Sequence, residues 1–574
     1  MLRKLLIAAA LALLVTAAAA SAAGKRHGAT VQLSVATTEL MPGVTYTREV
    51  DMTAAGPVVL DVVTAPKPDG TVYSLAPVLA YGSLGRTAKL TTMEKHLDAG
   101  ATTVGLDGDY VRGRGGPNGI LVQGGALENQ PNVGRTSLGI AADGTLQAAQ
   151  VSFLGTWQAS AGQRQLSLNT RGGRFTLFTR AYGRSTPPEP GAVAEAVFSS
   201  FPPAQAGQGL TGTVSTITLA GGTPIPPGGA VLVARGADYA TQLETEAPVG
   251  RPVTVRLTLT PDWSGLASAI GGGPLLVRNG MAVFSNGETF RPGFLQSRSA
   301  RGAVGQLADG RIVLVTVEAT TPAYSVGLST YDLARELVKL GAVTAVGLGS
   351  GPQAGMAFDG SLLTQPAAGS ERRIADALVL SYTGVYAEPV APVLSPDGDG
   401  VGDTEALSYR LVRPATVTAT LNGPDGATVP LETGAEPVGV HTFVWDGTLA
   451  SVPQPEGAWT FTVTATDDRS VTTTAQRTFS LDDTLGSLTV SAGVRRATAQ
   501  FVLSRSADVV VRVERRNGVA VAVFHLPQLV AGAHRVRWNR RIGVGRAPKG
   551  RYLMRVDATS TIGTSSLVAS FTLS

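Results

Sequence analysis

Hydrophobic and polar positions along this chain follow two styles, with a change near residue 388. In the longer first part, short apolar runs stand between sharp turns. Ile312, Val313, Leu314, Val315 and Val317 form a run bounded by the Ala308–Arg311 turn and by Glu318, which predicts a strand buried on both faces. Ser329 with Asp332 three residues on, then Leu333, Leu337 and Leu340 on one face with Gly341 behind them, predict a capped helix. Ala342–Leu348 reads as a strand running into Gly349-Ser350-Gly351-Pro352, a polar loop at a strand end, where sites commonly lie. The same unit occurs earlier, as a helix over Thr92–Ala99, Gly100, a strand over Ala101–Leu106 and the turn Asp107-Gly108-Asp109. Two such units would bring their turns to one site.

Around these units the pattern predicts sheet. Ala29–Ala80 alternates apolar runs with Pro- and Gly-bearing turns, and Asn118–Leu127 and Leu138–Leu146 read as hairpin strands. Ala142-Asp143-Gly144-Thr145 makes Asp143 a turn residue. Trp157, Phe175, Phe178 and Tyr182 stand at strand spacing and are read as core ahead of a sugar-stacking platform. Residues 187–262, rich in Pro and Gly turns, read as a β-rich insertion. After the linker Glu388–Pro392 the alternation becomes strict: Trp459, Phe461, Val463 and Ala465 lie on one face, Thr460, Thr462, Thr464 and Thr466 on the other. Tyr552, Met554, Val556 and Ala558 repeat this pattern at the offset that also relates Trp445 to Trp538. The repeat predicts two β-sandwich modules, 389–485 and 486–574, behind a domain over 24–388. The fold class expected is α+β, mixed sheets with few helices, followed by two all-β sandwiches.

Composition sets the compartment and the charge. Arg3 and Lys4, an apolar stretch and Ala20-Ser21-Ala22-Ala23 have the order of a secretory signal over residues 1–23, so the mature chain is expected outside the cell, either free or held at the wall. No later run has membrane-spanning length. The chain has no cysteine, so an exported protein must hold together by burial alone. The formal charge is only +5, but residues 486–574 carry 13 Arg and Lys549 against Asp508, Glu514 and Asp557. A module so basic on an acidic body points to an anionic partner, with no nucleic acid expected. Alternation sends Arg535 and Arg537 outward beside inward Val536 and Trp538, and Arg512, Arg540, Arg541, Arg546, Arg551 and Arg555 are further candidates for one basic face. A merely solvated surface is the alternative.

Six stretches carry a family resemblance: Leu40–Val44, Asp107–Tyr110, Arg135–Ile140, Gly272–Leu276, Arg298–Val317 and Ser370–Leu380. Through them, residues 24–388 resemble the secreted phosphodiester glycosidases, a family that includes the lysosomal uncovering enzyme, which removes N-acetylglucosamine from a sugar-phosphate diester. Two motifs depart. The family's Asn-Gly-Asp-aromatic-aromatic reads Asp107-Gly108-Asp109-Tyr110-Val111, and its Leu-Asp-Gly-Gly-Gly-Ser-Ser reads Leu348-Gly349-Ser350-Gly351-Pro352-Gln353-Ala354. The modules behind it resemble the immunoglobulin-like module of flagellar hook-capping proteins. The resemblance implies hydrolysis of a sugar phosphodiester; a catalytically degenerate binder of wall glycan or phosphate polymer is the alternative.

The histidines are His27, His96, His441, His525 and His534, so thiol chemistry, a His-rich zinc site and a Ser-His triad all lack parts in the first domain. Carboxylates and arginines remain. Cleaving a sugar from a phosphodiester needs an acid or base at the anomeric oxygen and cations about the phosphate. Asp109, matching the family's retained Asp, is the first catalytic candidate, with Asp107 and Glu318 beside it; an Asx turn is the alternative for Asp109. Arg301, Arg372 and Arg373 are candidate phosphate clamps, and Gly349, Ser350 and Gly351 a backbone cradle. Asp107 could fill the space vacated at Gly349. No cofactor is required by the sequence, although Asp397, Asp399 and Asp403 have the spacing of a calcium loop, or of an interdomain turn.

Overall fold

In the computed structural model, residues 31–573 are described apart from 114, 284–286, 399, 516–518 and 544. The expected signal segment, 1–23, lies outside the described residues. The rest forms two compact units, 31–383 and 384–573. Among the described residues there are three α-helices, and none is long and apolar enough to cross a membrane.

The first unit is built from stacked and abutting sheets. An eight-stranded antiparallel sheet runs, in spatial order, Val31–Met41, Val44–Thr53, Gly56–Ala65, Ile312–Glu318, Arg301–Leu307, Ala342–Ser350, Leu275–Arg278 and Met281–Ala282. Ile312–Glu318 is buried at every position, as its uninterrupted apolar run predicts. The helix Thr330–Lys339 covers one face, where Leu333, Ala334 and Leu337 share a buried cluster with Leu276, Val277, Ala342 and Ala345. Its ends follow the local chemistry. The Ser329 hydroxyl accepts the Asp332 N–H at 3.1 Å, satisfying a first-turn donor, and Gly341 takes the left-handed conformation (φ 89°) that ends the helix.

A five-stranded sheet, Ser361–Leu362, Met356–Phe358, Thr102–Asp107, Asp376–Tyr382 and Tyr73–Leu79, is covered by the short helix Leu90–Lys95. This helix starts and ends earlier than the expected Thr92–Ala99. The segment expected as an insertion belongs to a larger sheet: Ser152–Gln158 pairs along its length with Pro252–Thr260, so the eight-stranded sheet spans 152–260. Trp157 and Phe175 lie in its core, ring centroids 5.1 Å apart, and Phe178 is fully buried, which removes all three from any sugar platform.

The second unit holds two sandwiches. Each sets a three-stranded sheet against a larger one, five-stranded in the first module and four-stranded in the second. The repeat reaches single hydrogen bonds. Trp445 Nε1 donates to Thr448 O (2.8 Å) as Trp538 Nε1 does to Arg541 O (3.1 Å). Trp459 Nε1 donates to Pro455 O (2.9 Å), and Tyr552 takes its place with a hydroxyl donating to Pro548 O (3.0 Å). One aromatic with a polar tip thus ties the same corner to the same strand in both modules.

Candidate active site

Three strand ends of the first unit meet where the eight-stranded and five-stranded sheets abut: Asp107, closing Thr102–Asp107; Arg301, opening its strand; and Ser350, closing Ala342–Ser350. Backbone bonds tie them. Gly349 N donates to Gly108 O (2.8 Å), Gly108 N to Asp376 O (3.1 Å) and Gly351 N to Ala300 O (2.8 Å). Glycines permit the approach, because a Cβ on Gly302 would stand 2.7 Å from Asp107 Oδ1 and one on Gly349 would overlap Asp107 Oδ2. The Asp107 carboxyl therefore occupies the place a side chain at 349 would need.

Three carboxyls share this junction, all almost fully buried: Asp107, Asp109 and Asp376. Asp107 Oδ1 accepts the Gly355 N–H (3.2 Å), while its Oδ2 has no partner among the described residues. Asp109 Oδ1 accepts the Tyr110 N–H (2.7 Å) and its Oδ2 the Gly119 N–H, in a cradle formed by Gly119 and Gly271. Asp376 Oδ1 accepts the Asp109 N–H (2.9 Å), and its Oδ2 is also unpartnered. Burial pushes Asp107 up to about 8, partly opposed by its backbone N–H bonds. Asp376 is held well above the usual carboxylate range by burial and then by the charges of Asp109 and Asp107. Asp109 rises only to about 6, since burial is countered by the Gly119 and Tyr110 N–H groups and by Arg135. Of the three, Asp109 is the one whose charged form its surroundings support most.

Beside the carboxyls lies an aromatic and cationic wall. Tyr110 meets Phe290 and Phe294 edge-on at 6.0 and 5.9 Å, and its hydroxyl donates to Gly273 O (3.0 Å). Burial pushes the Tyr110 phenol up, against the pull of Arg301 and Arg135. Arg301 is buried; its Nη2 donates to Phe294 O (2.7 Å) and Ser297 O (2.8 Å), and its guanidinium lies 4.6 Å from the Phe294 ring. Arg135 lies over Tyr110 and Phe290 at 4.8 and 4.4 Å and donates through Nε to Thr289 O (3.1 Å). In both arginines Nη1 is buried with no partner among the described residues. Two cations on one wall, each with an unused N–H donor, suit the oxygens of a phosphate.

Other expected site residues lie elsewhere. Arg373 is exposed and donates to Thr87 O and Thr87 Oγ1, and Arg372 lines a narrow surface cleft with Gly355 and Glu371, so neither joins Arg301. The N–H groups of Gly349 and Gly351 are consumed by the strand-end bonds above and cannot cradle a phosphate. Glu318 is tied to Arg48 (3.2 Å), Gln365 N (2.7 Å) and the Tyr324 hydroxyl (2.5 Å), a buried ion pair shared with Asp61. Asp61, Thr316 and Gly302 stand opposite one another across neighbouring strands, so this polar network occupies the same sheet face that Asp107 packs on. Asp403 accepts the N–H groups of Gly398 (2.7 Å) and Gly400 (2.8 Å), the bonding of a structural turn, and Asp399 lies outside the described residues. Asp376, Arg135 and the aromatic wall were not singled out from sequence. The signal for the first two was present, since Arg135 opens one matching stretch and Asp376 lies within another.

Residues 205–381 match the family model for phosphodiester glycosidase. The match takes in Arg301, Glu318, Gly349–Gly351 and Asp376 and leaves Asp107, Asp109 and Arg135 outside it. Comparison with curated proteins finds no match. Among solved structures, a hypothetical protein from Synechocystis is similar at 23% identity and a TM-score of 0.50, over 61% of this chain and 64% of that one. This chain thus spans under two thirds of that protein's length, and the likeness speaks to fold alone. The catalytic domain of zebrafish N-acetylglucosamine-1-phosphodiester alpha-N-acetylglucosaminidase, auto-inhibited by its pro-peptide, is similar at 14% identity over 62% of this chain and 89% of that one, with a TM-score of 0.34. The family match thus places a phosphodiester glycosidase domain over residues 205–381.

Proposed function

We propose that the chain is an exported hydrolase that cleaves the bond between a sugar, N-acetylglucosamine-like, and a phosphodiester in a glycan or wall polymer. The observation that supports this most is the trio Asp107, Asp109 and Asp376 beside two guanidiniums with unused N–H donors. In this reading Asp109 is the general base: it takes a proton from water as the water oxygen bonds to the anomeric carbon and the carbon–oxygen bond to phosphate breaks. Arg135 and Arg301 hold the departing phosphate and offset its growing charge. Burial favours the protonated forms of Asp107 and Asp376, which leaves the site's negative charge to Asp109. Export rests on the order of residues 1–23.

Release of free sugar from an N-acetylglucosamine-1-phosphodiester tests the proposal. Asp109→Asn should lower turnover by about 100-fold or more while circular dichroism stays native. A second reading, a catalytically degenerate glycan-phosphate binder, is favoured by one observation: both Asp109 oxygens already accept backbone N–H groups. Ligand retention with no turnover across a panel of sugar phosphodiesters would establish it in place of the first.

A further inference from the structure

The last module segregates its charge by sheet. Its three acidic residues, Asp508, Glu514 and Asp557, all lie on the four-stranded sheet, where Arg512 pairs with Asp557 and Arg555 with Glu514. The three-stranded sheet of Leu485–Ala492, Ala497–Leu503 and Gly532–Trp538, with its 493–496 turn and the hairpin that follows, has no acidic residue. It carries seven arginines. Arg540 is buried and structural, its Nη1 donating to Gly493 O (3.0 Å) and Val494 O (2.8 Å). That bond fastens the turn bearing Arg495 and Arg496 to the hairpin in which Arg541 and Arg546 stand directly opposite. Arg546 adds a bond from Nη2 to Val494 O (3.2 Å). Arg537, opposite Thr498, and Arg535, opposite Gln500, continue the row along the sheet.

Arg495, Arg496, Arg535, Arg537, Arg541 and Arg546 are exposed, and none has an ion pair among the described residues. Like charges set directly opposite destabilise a strand pair, so the Arg541–Arg546 juxtaposition is a cost that an anionic partner would relieve. The choice of arginine matters as well, since a planar fork matches phosphate oxygens bidentately and a lysine does not. Arg535 and Arg537, two residues apart on one strand, are separated by about 7 Å, a step that suits successive charges on an extended polyanion. Opposite them stand half-buried Thr498 and exposed Gln500, which offer no aromatic ring to stack a base, and this disfavours a nucleic acid.

We infer that this arginine face binds an extended phosphodiester-linked polyol or glycan chain, docking the polymer on a module separate from the candidate active site. The inference goes beyond the proposed hydrolase and is independent of turnover. The test measures binding of the full mature chain to a ten-unit poly(glycerol phosphate) probe, with hyaluronate and a duplex DNA of equal phosphate number as comparators. Four phosphate contacts with a slope of about −0.7 each predict a fall in affinity of about 50-fold between 50 and 200 mM salt. Replacing Arg495, Arg496, Arg537, Arg541 and Arg546 by Gln should abolish binding, whereas Arg551→Gln on the other sheet should leave it within twofold. The five-fold lysine variant, which keeps the charge, should retain the salt slope with weaker affinity, and so separates loss of the face from loss of fold. Unchanged binding by the glutamine variant, salt-independent binding, or tighter binding to DNA or hyaluronate would overturn the inference. Sugar release from a small soluble phosphodiester, unaffected by these variants, reports separately on the hydrolase proposal.

Discussion

Gly349→Ala is the sharpest probe of the carboxyl junction, because the added methyl has a defined collision partner. A Cβ at 349 overlaps Asp107 Oδ2 and stands 3.0 Å from Asp107 Cγ, well inside ordinary contact. The carboxyl has to swing away. It then loses the Gly355 N–H, about 1 kcal/mol net, and the packed junction takes on overpacking strain of about 1–3 kcal/mol. A total near 3 kcal/mol, divided by an unfolding entropy of about 0.7 kcal/mol/K for a unit of some 350 residues, lowers Tm by about 4 °C. Thermal melts at pH 6, where Asp107 is protonated, measure this without a change of charge. Asp107→Ala vacates the same space, so the double variant should recover about 2 kcal/mol relative to the sum of the single effects. The charged form of the test is Gly349→Asp, harmful alone and tolerated with Asp107→Ala, which moves the carboxyl to the strand where the resembled family carries it. A Gly349→Ala protein that melts unchanged, or single effects that simply add, would refute the claim that Asp107 fills the space at 349.

Three further outcomes follow from the same geometry. Asp107, Asp109 and Asp376 have folded pKa values above their unfolded ones, so the folded state holds protons that the unfolded state releases above about pH 4. Their contribution is complete below that pH and is lost as pH rises toward about 8; Tm should fall between pH 5 and 9, and Asp107→Asn should flatten the fall. Arg301→Lys cannot reach the Phe294 and Ser297 carbonyls together, so it should cost about 2 kcal/mol in urea titrations and, under the proposed function, raise KM for the phosphodiester more than about tenfold. Gly423→Ala would place a methyl 2.5 Å from the buried Trp459 ring and should destabilise the first sandwich by about 1–3 kcal/mol, seen in the tryptophan near-UV signal.

Features whose cause is local could be read in the sequence. The 329–341 helix carries its cap, stripe and stop within one stretch, and the sandwich repeat shows because both copies retain the aromatic and its turn at the same spacing. The junction could be read only in part, because its partners are assembled by strand pairing across long separations. Asp376 meets Asp109 from 267 residues away, and Glu318 is claimed by Arg48 from 270. A carboxylate at a strand end looks the same in sequence whether an arginine of a distant strand neutralises it or not. The expected phosphate cradle failed for a related reason. Gly349 is a glycine because the Asp107 carboxyl stands where its Cβ would be, Gly351 because its φ of 64° is left-handed, and the strand-end bonds there use the N–H groups a cradle would offer. Glycine at a polar turn therefore has two physical meanings, close approach of backbone or close approach of ligand. What separates them here is the neighbouring side chain: where Asp107 fills the missing Cβ, the glycine serves the carboxyl, and under the proposed function a phosphate falls to the arginine wall, whose Nη1 atoms have no partner among the described residues.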